Sequence, residues 1–172
     1  MIYYFAYGSN LHPVRLQDRV PSAKLICTVQ LKNHILKFNK KSHDGSAKCN
    51  LVNTGKTSDF IHGAIYQLSA EHKEILDKFE GKGFGYIDKQ IELKFEHKKY
   101  NCFSYFAQQE YIVDDLRPYH WYKQLVTLGA SFLKFPASYT SSINAISSCD
   151  DPEVNRRLEH ELLLQKIKAF SD

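Results

Sequence analysis

Apolar positions in the first two thirds of the chain come in short runs or in alternation. In the last third they shift to helical spacing. Residues 2–7, Ile-Tyr-Tyr-Phe-Ala-Tyr, form an unbroken apolar and aromatic run stopped by Gly8-Ser9-Asn10, which predicts a buried strand ending in a turn. His12 to Arg19, with Val14 and Leu16 among polar residues, predicts a short helix. Lys24 to Lys41 is rich in Ile, Val, Thr, Leu and Phe with partial alternation and predicts one long strand or two short ones. A loop over 42–49, a short strand at Asn50-Leu51-Val52 and a second loop over 54–58 follow. Phe60 to Leu68 reads as a strand, and Ser69 as the N-cap of a helix through Phe79. Ile75, Leu76 and Phe79 give that helix an apolar stripe, and Gly81 its stop. Tyr86 to His97 and Lys99 to Ala107 alternate and read as a hairpin. After Arg117-Pro118 the pattern is helical through Phe135. Asp151-Pro152-Glu153 opens a last amphipathic helix ending near Phe170, with Pro152 in its first turn. Strands first and helices after predict an α+β fold: a small mixed β-barrel or strongly curved sheet with flanking helices. No βαβαβ alternation, repeat or linker interrupts it, so residues 1–172 read as one domain.

Composition narrows the function. With 43% hydrophobic and 24% charged residues, disordered and fibrous classes are excluded. The 23 Lys and Arg against 19 Asp and Glu give +4, too dilute for a nucleic-acid binder. Lys37, Lys40, Lys41 and Lys48, like Lys94, Lys98 and Lys99, read as solvated strand ends and hairpin loops. No apolar run approaches the length of a membrane helix, so no membrane partner is expected. Met1 leads directly into the apolar run without a basic segment, so no secretory signal is expected. Cys27, Cys49, Cys102 and Cys149 stand far apart without CxxC or Cys/His spacing, which reads as free thiols in a reducing cytoplasm. The eight histidines never pair at i, i+4 on a helix, and no metal or cofactor is expected. The 13% aromatic fraction, with 11 Tyr, fits β-structure, a ligand pocket, or both.

Two glycine clusters resemble nucleotide motifs and fail on context. Gly81-Lys82-Gly83-Phe84-Gly85 follows a helix rather than a strand, and Gly55-Lys56-Thr57 lacks its upstream glycine because position 50 is Asn. No GxSxG nucleophile elbow is present. Three segments remain. Tyr7-Gly8-Ser9-Asn10 is either an ordinary turn or a nest of backbone N–H groups for a carboxylate or oxyanion, with Gly8 allowing close approach. Glu80, the last residue before the helix stop, is either a surface glutamate or a general acid/base. The negative end of the helix dipole would push its pKa up, and, with the carboxyl buried, apolar neighbours such as Phe79 would push the same way. Tyr119-His120-Trp121-Tyr122-Lys123 is either a core-facing helix start or part of a pocket wall.

In this order the three segments resemble the γ-glutamylcyclotransferase-like family. Tyr4-Phe5-Ala6-Tyr7-Gly8-Ser9-Asn10-Leu11 is similar to its N-terminal substrate-binding signature, and Pro21-Ser22-Ala23 to the step that follows it. His62 to Leu68 resembles the strand before the catalytic helix. Leu76-Asp77-Lys78-Phe79-Glu80-Gly81, with Tyr86 after it, resembles the segment carrying the catalytic glutamate. Ser104-Tyr105 and Tyr122-Lys123 with Gly129-Ala130 are similar to later landmarks, so the likeness spans residues 2 to about 135. The resemblance implies a closed barrel with flanking helices, running a cofactor-independent lyase reaction. A γ-glutamyl substrate's α-amine attacks its own γ-carbonyl, giving 5-oxoproline and a free amine. It implies Glu80 as general acid/base, and Tyr4, Phe5, Ala6, Tyr7, Gly8, Ser9, Asn10, Leu11, Tyr105 and Tyr122 as substrate-binding residues. The partner implied is a small-molecule γ-glutamyl substrate, with monomer and homodimer both open. Ser9 and Asn10 look more like the branch acting on γ-glutamyl amino acids than those acting on γ-glutamylamines or glutathione. Lys48, Cys49 and Trp121 depart from the family pattern on the leaving-group side. A relative releasing another amine, or a binding protein that keeps the pocket, are the other readings the resemblance leaves.

Overall fold

The computed structural model describes residues 1–170. Seven strands are β1 (Ile2–Ala6), β2 (Lys24–Lys32), β3 (His34–Lys41), β4 (Ala47–Asn53), β5 (Phe60–Leu68), β6 (Tyr86–Phe95) and β7 (Lys98–Ala107). Five helices are α1 (Pro13–Arg19), α2 (Lys73–Glu80), α3 (His120–Phe132), α4 (Ala137–Asn144) and α5 (Val154–Lys168).

The main sheet runs β2-β5-β1-β7-β6, and β3 with β4 forms a second, two-stranded ladder. β1 lies centrally, antiparallel to β5 and parallel to β7, so the loop after it emerges between two strands of the core. This is the expected α+β sheet with flanking helices, but the barrel does not close. β2 and β6 approach each other without sharing a ladder. Lys89, Glu92 and Lys94 stand exposed along β6, and charged edges resist pairing.

Asn33, in the left-handed region at φ 62°, breaks the Lys24 to Lys41 segment into β2 and β3. The loop expected over 42–49 is shorter than expected, because β4 starts at Ala47 and extends the strand expected at 50–52. The helix expected from Ser69 starts as a 3-10 turn over Ala70–His72, and Gly81 ends α2 in the left-handed conformation at φ 66°. Its apolar stripe is narrower than expected. Leu76 is fully buried, while Ile75 and Phe79 face solvent. The last helix begins after Pro152, because the Glu153 side chain caps it by accepting from the N–H groups of Asn155 and Arg156. The helical stretch through Phe135 ends α3 at Phe132, and the Ser- and Thr-rich α4 follows it unforeseen.

The core gathers Phe5, Ala6, Leu11, Ile65, Tyr66, Leu76 and Leu125, all fully buried. Tyr66 donates to the Leu11 carbonyl at 2.7 Å and Ser104 to the Phe5 carbonyl at 2.8 Å, fixing both ends of the β1 segment. Among the described residues no helix is long and apolar enough to cross a membrane.

Candidate active site

The chain leaving β1 turns tightly, with Leu11 N–H returning to the Gly8 carbonyl at 3.1 Å. Among the described residues, the N–H groups of Gly8, Ser9 and Asn10 have no acceptor. Three open donors beside one small chamber form an anion nest. A Cβ on Gly8 would lie 3.0 Å from the Cys49 Cβ, so only glycine leaves this wall undisturbed.

Glu80 reaches the same chamber from the last turn of α2. Its Oε1 accepts from Asn10 Nδ2 at 2.9 Å and from Arg19 Nη1 at 3.0 Å. Arg19 also donates to Asn10 Oδ1 at 3.2 Å, closing a three-membered net. The other carboxylate oxygen, Oε2, has no hydrogen bond among the described residues and is open to a ligand. Phe79, expected to bury the glutamate, is 55% exposed and lies under the Arg19 guanidinium at 5.0 Å instead.

The inner chamber, of about 20 Å³, is lined by Tyr4, Tyr7, Gly8, Ser9, Asn10, Cys49, Glu80, Tyr86, Tyr105 and Tyr122. It opens on an outer cleft of about 290 Å³ that shares Ser9, Glu80, Tyr86 and Tyr122 as walls. Of the residues expected at the site, Tyr4, Tyr7, Gly8, Ser9, Asn10, Glu80, Tyr105 and Tyr122 therefore come together. Phe5, Ala6 and Leu11 do not line either space. They are fully buried in the core and act as scaffold, because alternation on β1 sends Phe5 to the face opposite Tyr4.

The phenols differ in what they have left to give. Tyr7 donates to the Tyr105 carbonyl at 2.6 Å, and Tyr105 to Asp77 Oδ1 at 2.6 Å, so both are spent on the scaffold. Tyr86 donates to the Cys49 carbonyl. Tyr122 accepts the Cys49 N–H at 3.1 Å and meets its thiol. Tyr4 accepts from Asn10 at 3.3 Å and, among the described residues, has no acceptor for its own proton. Burial pushes all five phenols above their usual range, so they stay neutral donors at neutral pH. It also pushes the Cys49 thiol up to about 12, leaving it a neutral wall rather than a nucleophile.

The lysines overturn one expectation. Lys40 and Lys48 are not solvated strand ends. Lys40 is 5% exposed, the Lys48 side chain 13%, and both line the outer cleft. The cause is aromatic cover. Lys40 Nζ sits 4.6 Å from the Tyr86 ring centre, and Lys48 Nζ 4.8 Å from that of Trp121 and 4.7 Å from that of Tyr122. Trp121 joins this wall, stacked on His160 at 3.6 Å with its indole N–H given to Asp151 at 2.8 Å. Sequence reasoning missed Arg15 and Arg19, and named Tyr86 as a landmark of the resemblance without giving it a place at the site. The available signal for the arginines was their i, i+4 spacing, which puts both on one face of α1. Among the described residues no group of three or more His, Cys, Asp or Glu forms a metal site.

The chain is similar to known proteins over most of its length. The chain is 28% identical to γ-glutamylcyclotransferase from Homo sapiens over 156 residues, covering 86% of this chain and 79% of the relative. It is 28% identical to the Mus musculus γ-glutamylcyclotransferase over 152 residues, covering 83% and 77%. It also superposes on a solved γ-glutamyl cyclotransferase structure with a TM-score of 0.82 at 25% identity, covering 96% of this chain and 98% of the other. The profile of the γ-glutamyl cyclotransferase, AIG2-like family matches residues 4–124, a stretch that holds the nest, the glutamate and the tyrosine walls. The chain belongs to the γ-glutamyl cyclotransferase, AIG2-like family of enzymes.

Proposed function

We propose that the protein is a γ-glutamylcyclotransferase that closes a γ-glutamyl amino acid or amide to 5-oxoproline and releases the free amine. The observation that supports this most directly is the open Oε2 of Glu80 beside three unengaged amides. Glu80 takes a proton from the substrate's α-ammonium. The freed amine attacks the γ-carbonyl, a C–N bond forms, and negative charge develops on the carbonyl oxygen. Collapse of this tetrahedral species breaks the original C–N bond, and Glu80 returns its proton to the departing nitrogen. The ring nitrogen sheds its second proton as the lactam forms, so both protons lost by the α-ammonium end on the released amine, which leaves as an ammonium, and no cofactor enters the balance.

The attack is intramolecular, so rate comes mainly from holding the near-attack conformer. The amides of Gly8, Ser9 and Asn10 hold the glutamyl end and the developing charge, and losing one such donor costs about 2.7–4 kcal/mol of barrier. Tyr4 supplies the remaining donor. Tyr105 and Tyr122 shape the chamber with their rings. The four cysteines are free thiols, three of them buried, which fits a reducing cytoplasm.

The test is release of 5-oxoproline from γ-glutamyl-alanine by the purified protein and by Glu80→Gln, which keeps the shape but cannot carry the proton. The variant is expected to lose about 10²–10⁴-fold in kcat with its circular dichroism unchanged. Full activity in that variant would remove Glu80 from the mechanism.

A further inference from the structure

The outer cleft holds two buried cations without a carboxylate beside them. Arg15, on α1, is 5% exposed, and its Nε is buried without a hydrogen-bond partner. Among the described residues its guanidinium enters no ion pair. Lys40, on β3, is also 5% exposed, packs against Gly85 and the Tyr86 and Tyr111 rings, the latter at 4.6 and 6.0 Å, and among the described residues enters no ion pair. The cleft's other partly buried cations each have an acid: Arg19 has Glu80 at 3.0 Å, Lys48 has Asp44 at 2.6 Å and Arg156 has Asp151. A buried charge left unpaired is costly, so two of them facing one cleft call for an anion. Burial, with the Arg19 charge second, holds Arg15 down at about 9, and burial likewise holds Lys40 below its usual value. Carboxylates at longer range, Glu80 for both, Asp18 for Arg15 and Asp44 for Lys40, offset only part of this burial.

A single carboxylate neutralises one of these groups and leaves the other stranded. We propose that the outer cleft is a leaving-group site for a dianionic amine, an acidic amino acid, with Arg15 and Lys40 each meeting one of its two carboxylates. Arg15 offers a planar fork suited to a bidentate carboxylate, and Lys40 a point charge that tolerates a varied reach. The same cations disfavour a polyamine or lysine side chain as leaving group, by like-charge repulsion. This inference rests on the cyclotransferase reading above and specifies its substrate.

The experiment compares kcat/KM for γ-glutamyl-glutamate, its side-chain-amide isostere γ-glutamyl-glutamine, whose leaving group keeps one carboxylate, and γ-glutamyl-ethylamide, whose leaving group has none. Calorimetric titration of the protein with L-glutamate and with L-glutamine gives a readout that does not depend on turnover. The acidic substrate is expected to exceed the isostere by about 10- to 100-fold, with L-glutamate the tighter ligand. Lys40→Met should compress that ratio toward one. Arg15→Gln should weaken both dipeptides far more than the ethylamide. Equal use of the acidic substrate and its isostere, or no calorimetric preference, overturns the proposal. So does an Arg15→Gln loss that is equal for the ethylamide, since that places Arg15 at the glutamyl end. Absence of 5-oxoproline from every substrate, with the glutamate preference intact, would instead overturn the cyclotransferase reading and leave the dianion site standing.

Discussion

Glu80 is gripped by one oxygen and open at the other, and the grip comes from residues distant in sequence. Arg19 touches Oε1 at 3.0 Å while also holding the Asn10 amide, so it fixes where the free Oε2 points. Arg19 is a positioning residue. Hydrogen bonds to charged groups are worth about 1.5–3 kcal/mol. Arg19→Met is therefore expected to lower kcat by roughly 10- to 100-fold, with KM for γ-glutamyl-alanine changing much less, and Arg19→Lys should recover part of the loss. A change confined to KM would show that Arg19 only binds substrate. The glutamate and the Tyr7 to Asn10 turn were readable in the sequence because a residue type, a helix stop and a glycine turn each carry their own local signature. Arg15, Arg19 and Lys40 were not. The i, i+4 spacing of the two arginines puts them on one face of α1, but whether an acid stands beside each cation in space is reported by no local spacing.

At the scale of one element, α2 must hold Glu80 steady although only Leu76 anchors its apolar side. Ion pairs supply the rest. Asp77 accepts from Lys73 at 2.9 Å, from Tyr105 at 2.6 Å and from Lys82 at 3.3 Å, and both lysines also bind Asp88 on β6. Tyr105 thereby ties the helix that carries Glu80 to β7 while its ring lines the chamber. Loss of either partner should cost the same linkage only once. In a double-mutant cycle, Asp77→Asn and Tyr105→Phe are expected to be non-additive by about 0.5–3 kcal/mol in urea unfolding, and to lower kcat together no further than the worse single change. Strict additivity would mean that the tyrosine serves the chamber alone. The apolar stripe read for this helix was too wide because Phe79 packs against an arginine rather than into the core. Periodicity marks an amphipathic face but does not tell which of its members finds a different partner.

Across the whole molecule, ion-paired carboxylates tie helix to helix and helix to sheet, and that makes the fold acid-sensitive in a definite way. The Asp151 carboxylate, fully buried, receives Trp121 from α3 and Arg156 from α5. The hydrogen bond from Arg156, then that from Trp121, holds it well below the usual carboxylate range. Asp88 is held at about 2, hydrogen bonds from Lys82 and Lys73 outweighing burial. Their unfolded pKa is about 3.9, so both stabilise the fold fully above about pH 5. That contribution is lost as pH falls toward the folded values. His160, stacked on Trp121, works in the same direction from a different starting point. Burial first, and neighbouring cations next, depress it to about 4 against about 6.5 when unfolded. Stability from keeping it neutral is therefore lost earlier, between about pH 6.5 and 4. Thermal unfolding is thus expected to begin weakening below about pH 6.5 and to steepen below about pH 5. His160→Phe, which keeps a ring over the indole, should flatten the first stage only. Asp151→Asn should flatten the second, at a cost of about 1.5–3 kcal/mol at pH 7 for the charged hydrogen bonds from the partly exposed Arg156, a Tm drop of roughly 3–12 °C. A pH profile for His160→Phe that superimposes on that of the parent would show that the stacked imidazole contributes nothing to acid lability, and that the carboxylates alone set it.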